Sequence, residues 1–244
     1  MKNKLLTYVS AILILCILTS ISVYSLSMGI VNKNYTEEYL EAPDWYSDAR
    51  KFVVGEYIMT GFEVNSYPHP DTPLKTHKIM DFYGEREISR GEILTILSRF
   101  DGSFDTLSNF LTSVCDTFID VPDGKWFTPA VNWAYENGIT SGVGGGYFAP
   151  DRTITREEFA ALLYRYTEYR EAERGTSHDI STYPDSADVS DFAVDAMKWA
   201  VGCGLISGKP GGLLAPKDTI TRAEVALIMY RYNNVVPHLD EAIR

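Results

Sequence analysis

The sequence is poor in everything a disulfide scaffold or a metalloenzyme needs. It has three cysteines in 244 residues, Cys16, Cys115 and Cys203, and no Cys-x-x-Cys pair. Cys16 lies in an apolar N-terminal stretch, which leaves at most one intramolecular bridge; Cys115 and Cys203 stay open between free thiols and a disulfide. The four histidines, His69, His77, His178 and His238, are scattered in loops and tails without a His-Glu-x-x-His set. No metal and no other cofactor is expected. Basic residues are scarce too: 22 Lys and Arg against 33 Asp and Glu give a net charge of −11. That excludes nucleic acid as a partner, because phosphate binding needs a concentrated basic surface. The glycine-rich runs at 142–146 and 208–212 follow a helix pattern, not a strand, and end in no Gly-Lys-Ser/Thr. The nucleotide-loop reading fails, and tight turns explain them.

Long apolar runs are also missing, with one exception at the start. Lys2 and Lys4 precede an apolar run from Leu5 to Leu18, and small residues follow, with Val23-Tyr24-Ser25 or Ser25-Leu26-Ser27 as cleavage sites. No charge occurs between Leu5 and Ile30, so the stretch is also long enough to cross a bilayer uncleaved. Residues 1–27 are therefore a signal peptide or a membrane anchor helix, and export follows from both. Residues 28–40 read as a polar linker.

What is present is a repeat. Ile88-Ser89-Arg90-Gly91-Glu92, Ile154-Thr155-Arg156-Glu157-Glu158 and Ile220-Thr221-Arg222-Ala223-Glu224 place their arginines 66 residues apart. Ser or Thr followed three residues later by Glu is a capping box, so each copy opens a helix. Apolar residues follow at helical spacing: Ile93, Ile96, Leu97, Phe100; Phe159, Leu162, Leu163, Tyr166; Val225, Ile228, Met229, Tyr232. A first helix precedes each capped one. In copy two it begins after Trp126, with Pro129 in its first turn and Gly138 at its C-terminal cap. Trp45 to Gly61, Trp126 to Gly142 and Phe192 to Gly208 each span 16 residues, whereas the steps on to the arginines are 29, 14 and 14. Copy one therefore carries a 15-residue insertion between its helices, in an inserted loop over 62–80.

Arginine is the odd choice in the helix-opening stretch. It stands at the first helical position, where the helix dipole favours negative charge. Two readings remain open: a bridging structural salt bridge, or an anion receptor acting with the free N–H groups of the helix start.

Phe118-Ile119-Asp120, Trp126, Ala130, Trp133, Gly138, Gly142, Phe148-Ala149-Pro150 and Thr155-Arg156-Glu157-Glu158 resemble an S-layer homology repeat. Tyr183-Pro184-Asp185 through Thr221-Arg222-Ala223-Glu224 is similar. Copy one keeps Trp45, Gly61 and Ser89-Arg90-Gly91-Glu92 but lacks the Phe-x-Asp opening. The resemblance implies a mainly α fold, with three tandem two-helix repeats at 41–104, 118–170 and 183–236 forming a pseudo-threefold helical bundle behind the N-terminal signal or anchor helix. It also implies non-covalent anchoring to a secondary cell-wall polysaccharide linked to peptidoglycan, anionic and in the family often pyruvylated, bound in grooves between repeats.

Carried over copy by copy, the ligand-binding residues implied are Trp126, Gly142 and Arg156; Gly208, Lys209 and Arg222, with Phe192 in place of a Trp; and Trp45, Gly61 and Arg90. Asp120 and Asp185 join them, with turn capping as their bland alternative; for Trp126 the bland alternative is core packing. Two rival functions stand beside the anchor. One is an envelope adaptor that binds a protein partner with the same fold; the other is a glycan-active enzyme, for which no isolated carboxylate pair speaks.

Overall fold

A computed structural model describes residues 35–69, 72–103, 113–172 and 177–236. The N-terminal signal or anchor stretch, with Cys16, and the tail containing His238 lie outside the described residues. The elements run β1 (Tyr35–Tyr39), α1 (Asp44–Gly55), β2 (Phe62–His69), β3 (Thr72–Asp81), α2 (Arg90–Asp101), α3 (Thr128–Glu136), α4 (Arg156–Tyr169), α5 (Val194–Gly202) and α6 (Arg222–Val235), with short 3-10 turns at Ser186–Asp188 and Asp191–Ala193.

The capped helices α2, α4 and α6 are built as their sequences require. Ser89, Thr155 and Thr221 each accept from the amide of the glutamate three residues on, and each glutamate reaches back to the cap amide. A cap of this kind contributes about 1 kcal/mol. The residues just before the caps join the three copies. Ile88 N–H donates to Ile220 O, Ile220 N–H to Ile154 O, and Ile154 N–H to Ile88 O, at 3.1–3.3 Å, a closed ring of backbone hydrogen bonds. All three isoleucine side chains are fully buried. At the far end of the same helices Phe100, Tyr166 and Tyr232 form a triangle with ring centroids 5.7–6.2 Å apart. The 66-residue period is thus a threefold axis, marked by isoleucines at one end and aromatics at the other.

The outer helices close the ring. Each packs on the capped helix of the preceding copy: α3 on α2, α5 on α4, and α1 on α6, so the first copy covers the last. The expected cap glycine Gly138 takes left-handed backbone at φ 71°, and Gly204 does the same in copy three at φ 68°; copy one uses Tyr57 there, at φ 57°. A tyrosine in that region is strained, since its Cβ crowds the backbone.

A mainly α bundle is not the whole fold. A three-stranded sheet in the order β1-β3-β2 stands on copy one, with β1 parallel and β2 antiparallel to β3. The inserted loop is β2 and β3, and the end of the polar linker is β1. The insertion lengthens a hairpin that every copy has. Val143 N–H donates to Tyr147 O and Lys209 N–H to Leu213 O, both at 2.7 Å, closing short turns; the corresponding pair in copy one is Phe62 and Asp81, at the base of the β2–β3 ladder. Strand β1 also restores the missing opening of copy one. Leu40 N–H donates to Met80 O as Ile119 N–H does to Gly146 O, and the Tyr39 ring backs Gly61 as Phe118 backs Gly142. Tyr39 had no Phe-x-Asp pattern around it, so spacing alone could not find it. Among the described residues Cys115 and Cys203 form no disulfide.

Candidate functional site

The three period arginines are almost fully buried, at 4–5% exposure. Their Nε atoms donate across the copy boundary: Arg90 to Phe148 O at 2.9 Å, Arg156 to Leu214 O at 3.1 Å and Arg222 to Phe82 O at 3.1 Å. Each also faces the capping-box glutamate of the next copy, Arg90 to Glu158 at 3.8 Å, Arg156 to Glu224 at 3.1 Å and Arg222 to Glu92 at 3.9 Å. Arg156 donates further to Ser207 O and Arg222 to Thr60 O. Burial pushes all three guanidinium groups below the ordinary arginine value, Arg222 to about 10; they stay charged at neutral pH. The arginines therefore bridge the copies.

The helix-start amides are not free for an anion. The amides of Arg90, Arg156 and Arg222 donate to Arg152, Asp218 and Arg86 carbonyls, and those of Gly91, Glu157 and Ala223 to Pro150, Pro216 and Gly84 carbonyls. With the two further amides held by each capping box, all four orphan donors of every capped helix are satisfied. An anion site made of Arg plus free N–H groups is excluded at these positions.

Asp120 and Asp185 serve the same joints. Asp120 accepts from the amides of Phe148 and Ala149, and Asp185 from those of Leu214 and Ala215, at 2.7–2.9 Å. They clamp the turn in which Ala149 and Ala215 take φ 59° and 51°, 29 and 30 residues away, where a sequence window sees nothing. Burial pushes Asp185 up, but the amides of Leu214 and Ala215 outweigh it and hold the carboxyl below the usual aspartate range.

Between the copies lie open grooves, and their composition differs from the sets implied copy by copy. One, of about 510 Å³, is lined by Arg90 of copy one, Gly142 and Val143 of copy two and Phe192 of copy three, with Arg152, Glu158 and Arg165. A second, of about 620 Å³, takes Arg156 from copy two, Gly208 and Lys209 from copy three and Trp45 from copy one, with Glu85, Glu224 and Arg231. Each groove thus joins an arginine of one copy to the glycine of the next and the aromatic of the third. Neither described groove brings Trp126, Gly142 and Arg156 together. The reason is the ring closure, which sets every outer helix on a neighbouring copy.

The aromatic positions face solvent: Trp45 is 48% exposed, Trp126 44% and Phe192 56%. Core packing of Trp126 is therefore overturned; it meets Phe127 edge-on and leaves much of its ring open. Gly142 has to be glycine, at φ 81° with an added Cβ 2.4 Å from Tyr147 O. At Gly61 the Cβ would meet Tyr39 and Asp81 O, and the Gly61 amide donates to the Tyr39 hydroxyl at 3.0 Å. Beside it the Arg222 guanidinium is sandwiched, with its carbon 5.1 Å from the Phe62 ring centre and 4.8 Å from that of Phe82.

Two features escaped the reading from sequence. Glu157 is buried and accepts from the Ser190 amide, the Ser190 hydroxyl and Lys217, tying copy two to copy three. Arg99, Arg165 and Arg231 are a second arginine set at the same 66-residue period, and two of them line the grooves. Their spacing was the signal.

Residues 117–160 and 182–226 each match the S-layer homology domain. Among similar proteins, the amylopullulanase of Thermoanaerobacterium thermosulfurigenes is 37% identical over 77% of this chain. The cellulosome-anchoring protein of Acetivibrio thermocellus is 31% identical over 69% of it. The surface-layer 125 kDa protein of Lysinibacillus sphaericus is 33% identical over 47%. The matched parts span 9%, 40% and 10% of those relatives' own lengths.

Proposed function

We propose that this protein is exported and held at the cell surface by non-covalent binding of an anionic secondary wall polysaccharide in the grooves between its repeats. The observation that carries this is the grooves' make-up. On a chain of net charge −11, each described groove gathers three cationic side chains and one exposed aromatic face. A guanidinium binds a sugar carboxylate through paired hydrogen bonds, and an aromatic face covers the apolar side of a sugar ring. The net charge opposes a polyanion only weakly beyond about 10 Å at 0.1 M salt, so local cations decide binding. Two relatives whose names describe a cellulosome-anchoring protein and a surface-layer protein support the same reading.

On the threefold relation, the set that corresponds to those of the two described grooves is Arg222, Gly61 and Trp126. There Phe62 covers one face of Arg222, which favours the adaptor reading for copy one alone, with the β2–β3 arm as the contact. Catalysis has no part in either reading. The test is co-sedimentation with purified wall sacculi before and after chemical removal of the secondary polysaccharide. Binding lost with the polymer supports the anchor; equal binding to both preparations, or none, overturns it.

A further inference from the structure

The two arginine sets divide the work. In the groove beside Arg90, that arginine is a strut: it is 4% exposed, its Nε is bound to Phe148 O, and its other edge faces Glu158. Arg152 is bound through both terminal nitrogens to Glu158, at 3.2 and 2.6 Å. Arg165, on α4, lines the same groove and is only partly buried. Among the described residues it makes no ion pair and no hydrogen bond. The single carboxylate lining this groove, Glu158, is already shared by Arg90, Arg152 and the Thr155 amide.

The second groove is different. Arg156 is paired with Glu224, Lys209 with Asp218 at 3.1 Å, and Arg231 donates to Leu205 O at 3.1 Å, with Glu85 also in the lining. Its cations are matched by the protein's own acceptors. The Arg90 groove keeps an unmatched positive charge. The field of that charge is felt by its neighbour: burial chiefly lowers Arg90, and the positive charges of Arg152 and Arg165 add to the lowering.

Resting on the anchoring reading, we propose that the groove lined by Arg90, Gly142 and Phe192 is the principal carboxylate site of this protein, and that Arg165 is the side chain that contacts the carboxylate of the acidic glycan. The incoming carboxylate supplies the acceptor that Arg165 lacks. Phe192, 56% exposed across the groove, offers a ring face to the sugar. Arg90 and Arg152 position the wall through Glu158 and do not bind the ligand themselves.

The test uses the full chain and the secondary polysaccharide released from sacculi, both native and with its carboxyl groups reduced to alcohols. The wild type is expected to bind the native polymer at least tenfold more tightly than the reduced one. Arg165→Gln should bind the two polymers alike, with an unchanged melting temperature, and Arg165→Lys should recover part of the preference. Lys51→Gln, at a position that lines neither described groove, should keep the wild-type preference. If Arg165→Gln discriminates as the wild type does, the assignment is wrong while the anchor reading stands. If the wild type binds neither polymer, the anchor reading fails and takes this assignment with it.

Discussion

At the scale of residues, buried arginines such as Arg156 build the joints between copies. Arg156 gives Nε to Leu214 O, one terminal nitrogen to Ser207 O and another to Glu224, all in a neighbouring copy. Removing one partner of a buried, hydrogen-bonded pair strands the other, at a cost of about 3 kcal/mol. Arg156→Ala is therefore expected to lower the urea midpoint strongly, and any loss of wall binding would follow from that; an unchanged midpoint would contradict the strut. The sequence showed that an arginine stands out of place at the helix start, but all three of its partners lie more than 50 residues away, and spacing cannot see them. A smaller strain is predicted at Tyr57, the left-handed residue that replaces Gly138 and Gly204. Tyr57→Gly should stabilise by about 1 kcal/mol, read as a rise of a few degrees in Tm.

At the scale of elements, the capped helices were fully legible, because capping box, apolar stripe and period agree in all three copies. Pro129 and Gly138 likewise marked the ends of α3. The sheet was not legible. Residues 62–80 contain Pro68, Pro70 and Pro73, which read as loop, yet the ladder begins from the pair Phe62 and Asp81 at the base of a turn common to every copy. Strand β1 forms because β3 offers it an edge, a tertiary cause with no local pattern. An exchange follows from this register. Replacing residues 63–80 with the Gly144-Gly145-Gly146 turn of copy two should remove the sheet and leave the six described helices folded. Circular dichroism should keep its helical signal and a cooperative melt; loss of helix would mean that the insertion supports the bundle.

At the scale of the whole molecule, stability rests on joints between copies, and several joints are ionic. Burial raises Glu158, but hydrogen bonds from Arg152 and the Thr155 amide outweigh it and hold the carboxyl below the ordinary glutamate value. Asp185 is held low by its two clamped amides after the same contest with burial. Carboxyls with depressed folded-state values stabilise fully above their unfolded values and lose that contribution as pH falls through the folded ones. The chain should therefore melt at progressively lower temperature below about pH 4, with little change between pH 6 and 8. A flat profile down to pH 3 would show that the ionic joints contribute nothing. Ring closure also explains why the site was only half legible. The residue types of the grooves were visible in the repeat, but their grouping was not, because α1, α3 and α5 each serve a neighbouring copy.

The most direct test of the central claim is an amide hydrogen-exchange footprint of the protein with and without the polysaccharide released from sacculi. Binding in grooves shared by three copies predicts added protection together at 140–144 and around Phe192, and at 205–210 together with Trp45, leaving the β2–β3 arm unchanged. Protection confined to one repeat, or to the arm, would contradict it.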